Sequence, residues 1–131
     1  MNPGIDLLTG RLRLREYEES AEAAQAWAML DASRAGTPAA TSAEAPAFWD
    51  RLVRDRSRTP RTRFELAVTL RAGGSLIGSV RIAVIDPGRR QADIGYALHP
   101  DFWSRGYGTE AALAIVQFGF DDLGMDHIWA T

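Results

Sequence analysis

Hydrophobic and polar residues alternate along two parts of the chain. In residues 11–15, Leu12 and Leu14 alternate with three arginines, which is the pattern of a strand with one buried face. We expect this segment to be the first strand. Residues 64–70 alternate in the same way, and a Gly-rich turn separates them from an extended segment at 76–85. That arrangement predicts a β-hairpin.

Two helices are predicted between the first strand and the hairpin. Residues 18–30 are rich in Ala and Glu, and the Gly-Thr-Pro sequence at 36–38 ends this helix. A second helix is expected from Ser42, a suitable N-cap, to about residue 56. We expect both helices to cover one side of a sheet. The apolar stripe of the second helix consists of Phe48, Trp49, Leu52 and Val53.

A strand and a long helix are predicted after the hairpin. The strand covers 92–98 and contains Gly95, which indicates a bulge or a closely approaching ligand. A 3.6-residue period of apolar residues over 106–123 predicts a helix that Gly124 terminates. The apolar positions that set this period are Ala112, Leu113, Val116, Phe120 and Leu123. A further strand is expected to begin at His127.

Composition narrows the possible chemistry. The 131-residue chain is 46% hydrophobic and 24% charged, as is typical of a single globular domain. It has no cysteine, which excludes a disulfide, a cysteine-ligated zinc site and a thiolate nucleophile. Because His99 and His127 lie far apart, we expect no metal. The net charge of -2, the lack of a signal sequence and the short apolar runs favour a cytoplasmic protein without DNA or membrane partners.

The junction between the strand at 92–98 and the following helix carries a Gly-x-Gly sequence, Gly106 and Gly108. The first turn of a helix offers unpaired N–H groups and a partial positive charge, so such a junction can bind an anion. The sequence lacks the Walker and Rossmann glycine patterns, so ATP and NAD are poor candidates. Taken alone, the two glycines favour an ordinary strand-to-helix turn with a close helix packing contact over an anion site.

Three segments resemble the GNAT superfamily of N-acetyltransferases. Residues 93–100 and 103–111 are similar to its central strand and pyrophosphate loop, and residues 9–15 look like the subgroup that acetylates ribosomal-protein N-termini. The resemblance implies an α/β (α+β) fold in which helices flank a mixed, mostly antiparallel sheet, with residues 1–131 as one N-acetyltransferase domain. It also implies direct transfer of an acetyl group from the cosubstrate acetyl-CoA to a primary amine, such as a protein N-terminus, without a covalent enzyme intermediate.

The same resemblance implies a cosubstrate site. Backbone amides of 105–109 would bind the pyrophosphate, with Trp103 and Ser104 entering the loop, and the strand at Ala97 and Leu98 would hydrogen-bond pantetheine. The expected cofactor-binding residues are therefore Ala97, Leu98, Trp103, Ser104, Arg105, Gly106, Tyr107, Gly108 and Thr109.

Candidate catalytic groups are fewer. Asp93 stands where the resembled subgroup has a glutamate, so it is the candidate general base, acting directly or through water. The alternative is an exposed carboxylate at the end of a strand. A backbone N–H near Ala97 or Leu98 can donate to the oxyanion if a bulge at Gly95 opens the strand pairing. His99 is interpreted as a turn residue.

The resemblance also predicts a missing segment. A complete member of this family continues past Thr131 with a longer strand, another helix and a hairpin, and these carry the family's general acid. We therefore expect a truncated form of the fold, ending soon after its fifth strand begins, rather than a natively short protein. Such a form can be inactive, because the family's general acid lies in the missing segment. The alternative is a homodimer or strand exchange through an unpaired C-terminal edge.

The acceptor pocket is expected between the two early helices and the arginine-rich connection after them, near Trp27, Phe48 and Trp49. If two or three of these arginines converge at its mouth, they attract an acidic peptide or a ribosomal surface rather than a polyamine. Two other functional classes stay open. One is a non-catalytic acyl-CoA-binding module, and the other is a scaffold domain that binds no CoA.

Overall fold

The fold is organised around one mixed sheet. The computed structural model describes residues 4–33 and 45–130, and the side chains of 30–33 lie outside that description. Within this part of the chain the strands lie side by side in chain order, and every neighbouring pair is antiparallel except the last, which is parallel. The strands are β1 (Asp6–Leu8), β2 (Leu12–Arg15), β3 (Arg63–Leu70), β4 (Leu76–Asp86), β5 (Gln91–Leu98) and β6 (His127–Ala130).

Helices cover both faces of the sheet. Helices α1 (Ser20–Ser33) and α2 (Ala45–Ser57) pack on one face, and α3 (Tyr107–Asp121) packs on the other. Ala111, Ile115 and Phe118 are the buried stripe of α3, because residues spaced by three and four positions share one side of a helix. The mostly antiparallel α/β arrangement predicted above is confirmed.

Strand β3 is buried on both faces. Leu66 and Val68 belong to the core beneath α3, whereas Ala67 belongs to the core beneath α2 with Phe48 and Leu52. The alternation in this segment therefore separates two buried surfaces, and even Glu65 is only 8% exposed. The predicted hairpin of β3 and β4 is confirmed.

The prediction that residues 11–15 form the first strand is wrong. Leu12 and Leu14 are fully buried as the alternation requires, but the three-residue strand β1 precedes them and pairs Leu7 with Leu14. A strand of three residues is too short for alternation to reveal it. The strand at His127 is consequently the sixth and not the fifth.

The predicted helices are present with shifted ends. The first was placed at 18–30 and is observed from Ser20 to Ser33; the second was placed from Ser42 and is described from Ala45 to Ser57. The expected N-cap at Ser42 and the expected break at 36–38 lie outside the described residues. In the second helix Phe48 and Leu52 are buried, whereas Val53 is 45% exposed.

The bulge predicted at Gly95 is wrong. Strand β5 pairs with β4 in regular register through Gly95, which lies opposite Arg81. A Cβ on Gly95 would lie 2.8 Å from Nη1 of Arg81, so the guanidinium packs directly on the glycine. The register shift near this region belongs to β4, where Ile77 is an extra residue between the partners of Val68 and Thr69.

Two further observations concern the described residues only. None of their helices is long and apolar enough to cross a membrane. Their histidine and acidic side chains form no group of three or more that could hold a metal ion.

Candidate functional site

The chain folds back on itself between β5 and α3. A single 3-10 turn, Pro100–Phe102, follows the strand, and Nδ1 of His99 accepts a hydrogen bond of 3.1 Å from the Asp101 amide. The indole Nε1 of Trp103 then donates to the Leu98 carbonyl at 2.9 Å. These bonds fix the start of the loop that leads into α3, and they give His99 the turn role predicted for it.

The loop enters α3 through two residues with left-handed backbone. Ser104 has a φ of 61°, and Gly106, the N-cap of α3, has a φ of 82°. No side chain caps this helix, and its first internal hydrogen bond runs from the Glu110 amide to the Gly106 carbonyl at 3.0 Å. The first-turn amides therefore have no acceptor within the helix, and a left-handed residue followed by a helical one makes them converge.

These amides face an open cleft of about 320 Å³. This volume is at the lower end of the range for small-molecule sites. The helix terminus that lines the cleft carries a partial positive charge. The Arg105 guanidinium lies 5.7 Å from the centre of the Phe102 ring, although Arg105 itself is not one of the lining residues. The lining consists of Tyr96, Leu98, Phe102, Trp103, Ser104, Gly106, Tyr107, Gly108 and Thr109.

The two glycines of the loop have different roles. Gly106 supplies the left-handed conformation, which L residues adopt at a cost. At Gly108 a Cβ would lie 2.6 Å from the ring of Tyr96, so the absence of a side chain permits a close contact between α3 and β5. The close packing expected of an ordinary turn therefore holds at Gly108, while Gly106 provides the left-handed turn into α3.

A contact that the sequence did not predict holds the loop from the side. The Glu110 carboxylate accepts hydrogen bonds from the Thr9 hydroxyl, from the Arg11 amide at 2.9 Å and from Nε of Arg11 at 2.8 Å. Nη1 of Arg11 donates to the Arg105 carbonyl at 3.0 Å, and its guanidinium lies 4.3 Å from the centre of the Tyr107 ring. No local spacing signals a contact between residues about a hundred positions apart.

The Glu110 carboxylate is tuned by these contacts. Burial by itself would raise its pKa, but the hydrogen bonds from Thr9 and Arg11 outweigh burial and lower the pKa from its usual 4.5. Glu110 is therefore ionised at neutral pH, and it remains available to hold Arg11.

Ala97 and Leu98 direct their backbones to opposite sides of β5. The His99 amide donates to the Ile77 carbonyl of β4 at 2.8 Å, and Ala97 lies opposite Ser79 on the same strand. Because backbone groups alternate along a strand, Ala97 is directed toward β4 and Leu98 toward the opposite edge. Along that edge β6 pairs with β5 only up to Ile94 within the described residues.

Asp93 lies apart from the loop. It sits between Ala83 of β4 and Trp129 of β6, and it is half-buried. Its neighbour Ile94 and the more distant Leu98 both face the core beneath α3, so Asp93 faces the α1 and α2 side. Five residues of strand separate Asp93 from Leu98, about 16 Å along the sheet. The structure does not bring the candidate base and the loop together.

A second cleft, of about 230 Å³, lies beneath α2 and contains the buried charges of the protein. Nη1 of Arg61 binds Glu16 at 2.6 Å, and Arg51 binds Glu65 at 3.0 Å. The Ser79 hydroxyl donates to the second oxygen of Glu65 at 2.8 Å. These ions are compensated within the protein.

The acceptor pocket expected from the sequence corresponds only in part to this second cleft. Trp49 lines it, but Phe48 is buried and its ring lies 5.2 Å from that of Trp27, so these two rings are core. Arg56 and Arg61 also line it, together with the four carboxylates of Glu16, Glu18, Asp55 and Glu65. Two arginines do converge as the condition required, but four carboxylates accompany them, so the cleft is not basic and gives no preference for an acidic peptide.

Comparison with known proteins gives a consistent result. The model of the family described as "Acetyltransferase (GNAT) domain" matches residues 11–131. In Bacillus subtilis, the uncharacterized N-acetyltransferase YoaA is 34% identical over 55 residues, which cover 42% of this chain and 31% of that protein. The N-acetyltransferase p20 of Bacillus licheniformis is 28% identical over 64 residues, or 49% of this chain and 36% of that protein.

Solved structures share the fold over nearly the whole chain. A putative ribosomal-protein-serine acetyltransferase from Vibrio cholerae is 25% identical with a TM-score of 0.73, covering 95% of this chain and 72% of that one. A GNAT-family acetyltransferase from Bacillus anthracis is 19% identical with a TM-score of 0.74, covering 96% and 72%. The chain spans about a third of the length of the curated relatives that it matches. On the family match, this chain belongs to the GNAT acetyltransferase family.

Proposed function

We propose that this domain transfers an acetyl group from acetyl-CoA to a primary amine, and that the loop before α3 binds the pyrophosphate of the cosubstrate. One observation carries the proposal: the first turn of α3 opens into a cleft, and no side chain caps it. Converging amides and a helix dipole suit a diphosphate, because each charge-assisted hydrogen bond contributes about 1.5–3 kcal/mol.

The residues present fit this cosubstrate. Amides of 105–109 would hold the phosphates, and the edge of β5 at Leu98 would take the pantetheine arm. Trp103 already occupies the Leu98 carbonyl, so a ligand amide that binds there must share it or displace the indole. Ala97 is directed toward β4, and for that reason we assign it a supporting contact and not the main one.

The transfer needs a neutral amine. Its nitrogen forms a bond to the thioester carbonyl carbon, the carbon–sulfur bond breaks, the amine loses a proton and the departing thiolate takes one up. We assign to Asp93 the role of accepting the proton that the amine loses. Asp93 faces the α1 and α2 side of the sheet. An acceptor that reaches Asp93 directly or through one water must therefore approach on that side.

We propose a broad class of acceptors, peptides with a free N-terminus, without a preference for their charge. The structural neighbour from Vibrio cholerae is described as a putative ribosomal-protein-serine acetyltransferase, and that description suggests peptides with a free N-terminus as the first acceptors to test. The paired charges in the cleft beneath α2 give no reason to favour an acidic peptide over a basic one. Competition between acidic and basic peptides in the transfer assay measures this directly.

Calorimetric titration with acetyl-CoA tests whether the cosubstrate binds, and CoA release tests whether the acetyl group is transferred. The chain has no cysteine, so a thiol reagent detects released CoA without a protein background. We expect binding, followed by amine-dependent thiol release. Binding without turnover on any amine would make the domain a CoA-binding module, and no binding would overturn the cosubstrate assignment.

Asp93→Asn separates proton transfer from cosubstrate binding. We expect its turnover to fall by about 100-fold, as for loss of a general base, with an unchanged dissociation constant for acetyl-CoA. Asp121→Asn, at the exposed C-terminal end of α3, is the matched control. Equal turnover of the two variants would remove Asp93 from the mechanism.

A further inference from the structure

Arg11 contacts the loop before α3 in two places. Its Nη1 donates to the Arg105 carbonyl at 3.0 Å, and its guanidinium covers the Tyr107 ring at 4.3 Å. Its Nη2 also lies close to Gly106, 3.2 Å from the position that a Cβ there would take. Arg11 immediately precedes β2, outside the segment that forms the loop. The loop is therefore held by a distant part of the chain.

The bond to the Arg105 carbonyl determines the direction of the next amide. The carbonyl of Arg105 and the N–H of Gly106 belong to one peptide unit, and in a trans peptide they point in opposite directions. Anchoring the carbonyl on the Arg11 side therefore turns the Gly106 N–H to the other side. Gly106 lines the cleft, so that side is the one where an anion would bind.

Glu110 determines the position of Arg11 in turn. Its carboxylate accepts from both the amide and Nε of Arg11, which leaves Nη1 directed at the loop. A carboxylate in the first turn of a helix suits the helix dipole but would repel a phosphate. Pairing with Arg11 compensates that charge next to the binding site.

We propose that Arg11 is a positioning residue that aims the Gly106 amide at the bound diphosphate, with Glu110 holding Arg11 in place. The inference rests on the proposed function only for the identity of the anion. The direction of the Gly106 amide is a property of the protein without ligand. The planar fork of arginine is required, because one end binds Glu110 while the other binds the Arg105 carbonyl.

Arg13, two residues after Arg11 and on β2, offers a matched control. Arg13 forms a two-pronged ion pair with Asp6 at 3.0 and 2.9 Å, and its side chain is 48% exposed, against 47% for Arg11. It contacts no residue of the loop through its guanidinium in the described structure. Arg13→Gln therefore removes a comparable surface ion pair without touching the loop.

The ligand-free test measures the direction of the Gly106 N–H bond by residual dipolar couplings. In Arg11→Gln we expect this direction to change, and in Arg13→Gln we expect no change, with melting temperatures equal between the two variants. A Gly106 amide that is the same in both variants would overturn the proposal whatever the ligand is.

The ligand test uses calorimetry with CoA and with S-acetylpantetheine, which lacks the pyrophosphate. Arg11→Gln should weaken CoA binding about 10-fold, the loss of one aligned charge-assisted hydrogen bond, and leave S-acetylpantetheine binding unchanged. Arg11→Lys should lose nearly as much, because a lysine keeps the charge but not the fork. Wild-type affinity in Arg11→Lys, or equal losses for both ligands, would overturn the role of Arg11, whereas failure of the wild type to bind CoA would refute the proposed function alone.

Discussion

The two clefts of this protein treat polar groups in opposite ways. Beneath α2, buried ions are paired with one another, as in Glu16 with Arg61 and Glu65 with Arg51. At the start of α3, the backbone donors face solvent with no side-chain cap, while the neighbouring charges of Glu110 and Arg11 pair beside them. Satisfied charges hold a fold together, whereas a set of aligned donors without protein acceptors is available to a ligand.

Removing Arg61 tests the structural side of this comparison, and we expect the largest effect there. Arg61→Met leaves Glu16, whose side chain is 7% exposed, buried without its main partner. Breaking a buried pair in this way destabilises by about 3 kcal/mol. Urea unfolding measures the loss, with the exposed Arg58→Met as the control. If the two variants are equally stable, the charges beneath α2 do not contribute to holding the fold.

Gly78→Ala tests whether β4 and β5 can be pushed apart between the two clefts. A Cβ on Gly78 would overlap the Ala97 carbonyl oxygen and lie 2.9 Å from the Cα of Leu98. Backbone atoms cannot move aside, so we expect a loss of about 2–3 kcal/mol from overpacking. Thermal unfolding measures it against Gly10→Ala, where a Cβ meets nothing within 4 Å. A melting temperature equal to that of the control would contradict the close approach of β4 and β5.

Gly106→Ala tests the ligand-binding side. Alanine in the left-handed conformation is disfavoured by about 1–2 kcal/mol, so the loop should relax and the amides should diverge. We expect weaker CoA binding with a modest loss of stability, the reverse of the pattern for Arg61→Met. Calorimetry and unfolding on the same sample distinguish the two patterns. An unchanged affinity for CoA would show that the conformation at Gly106 is not needed.

Acid should affect both clefts, and this is the smallest effect. Burial raises the pKa of Glu16, but its bonds to Arg61 and Ile5 outweigh burial, so the pKa is lowered, as it is for Glu110. A lowered pKa in the folded state stabilises above the unfolded value, near 4.5, and this stability disappears as pH falls through the folded pKa. Unfolding free energy should therefore be level above pH 5 and decline below pH 4.5.

Glu16→Gln sharpens the acid experiment. The variant lacks one of the titrating groups, so its stability should decline less steeply below pH 4.5 than that of the wild type. Equal slopes would show that Glu16 does not titrate with a lowered pKa.

Local patterns in the sequence were sufficient for much of the fold. Alternation around Leu12 and Leu14 predicted a strand with a buried face. The apolar period predicted a helix over 106–123, although the side chains that this helix buries are those of Ala111, Ile115 and Phe118. The resemblance of the strand-loop-helix segment predicted the family, which the family match confirms. The assignment of individual residues to the cosubstrate and to proton transfer stays a prediction.

Failures of the sequence analysis occurred where a residue depends on a distant partner. Gly95 looked like a bulge, but it lies beneath the Arg81 guanidinium of the next strand. The arginines in and after α2 would form a basic surface if they converged at a pocket. Arg51 and Arg61 instead pair with carboxylates 14 and 45 positions away. Periodicity describes which face a residue takes and contains no information about what lies opposite.

The sequence by itself determined the order of the strands and helices that follow β1, the glycine-containing junction and the family, because these follow from spacings within about twenty residues. Tertiary structure alone decided which charges are compensated and which donors remain open. The contact of Arg11 with Glu110 joins residues 99 positions apart, and it exists because β2 begins beside the first turn of α3. Such contacts are set by sheet register and helix packing, which no short stretch of sequence specifies.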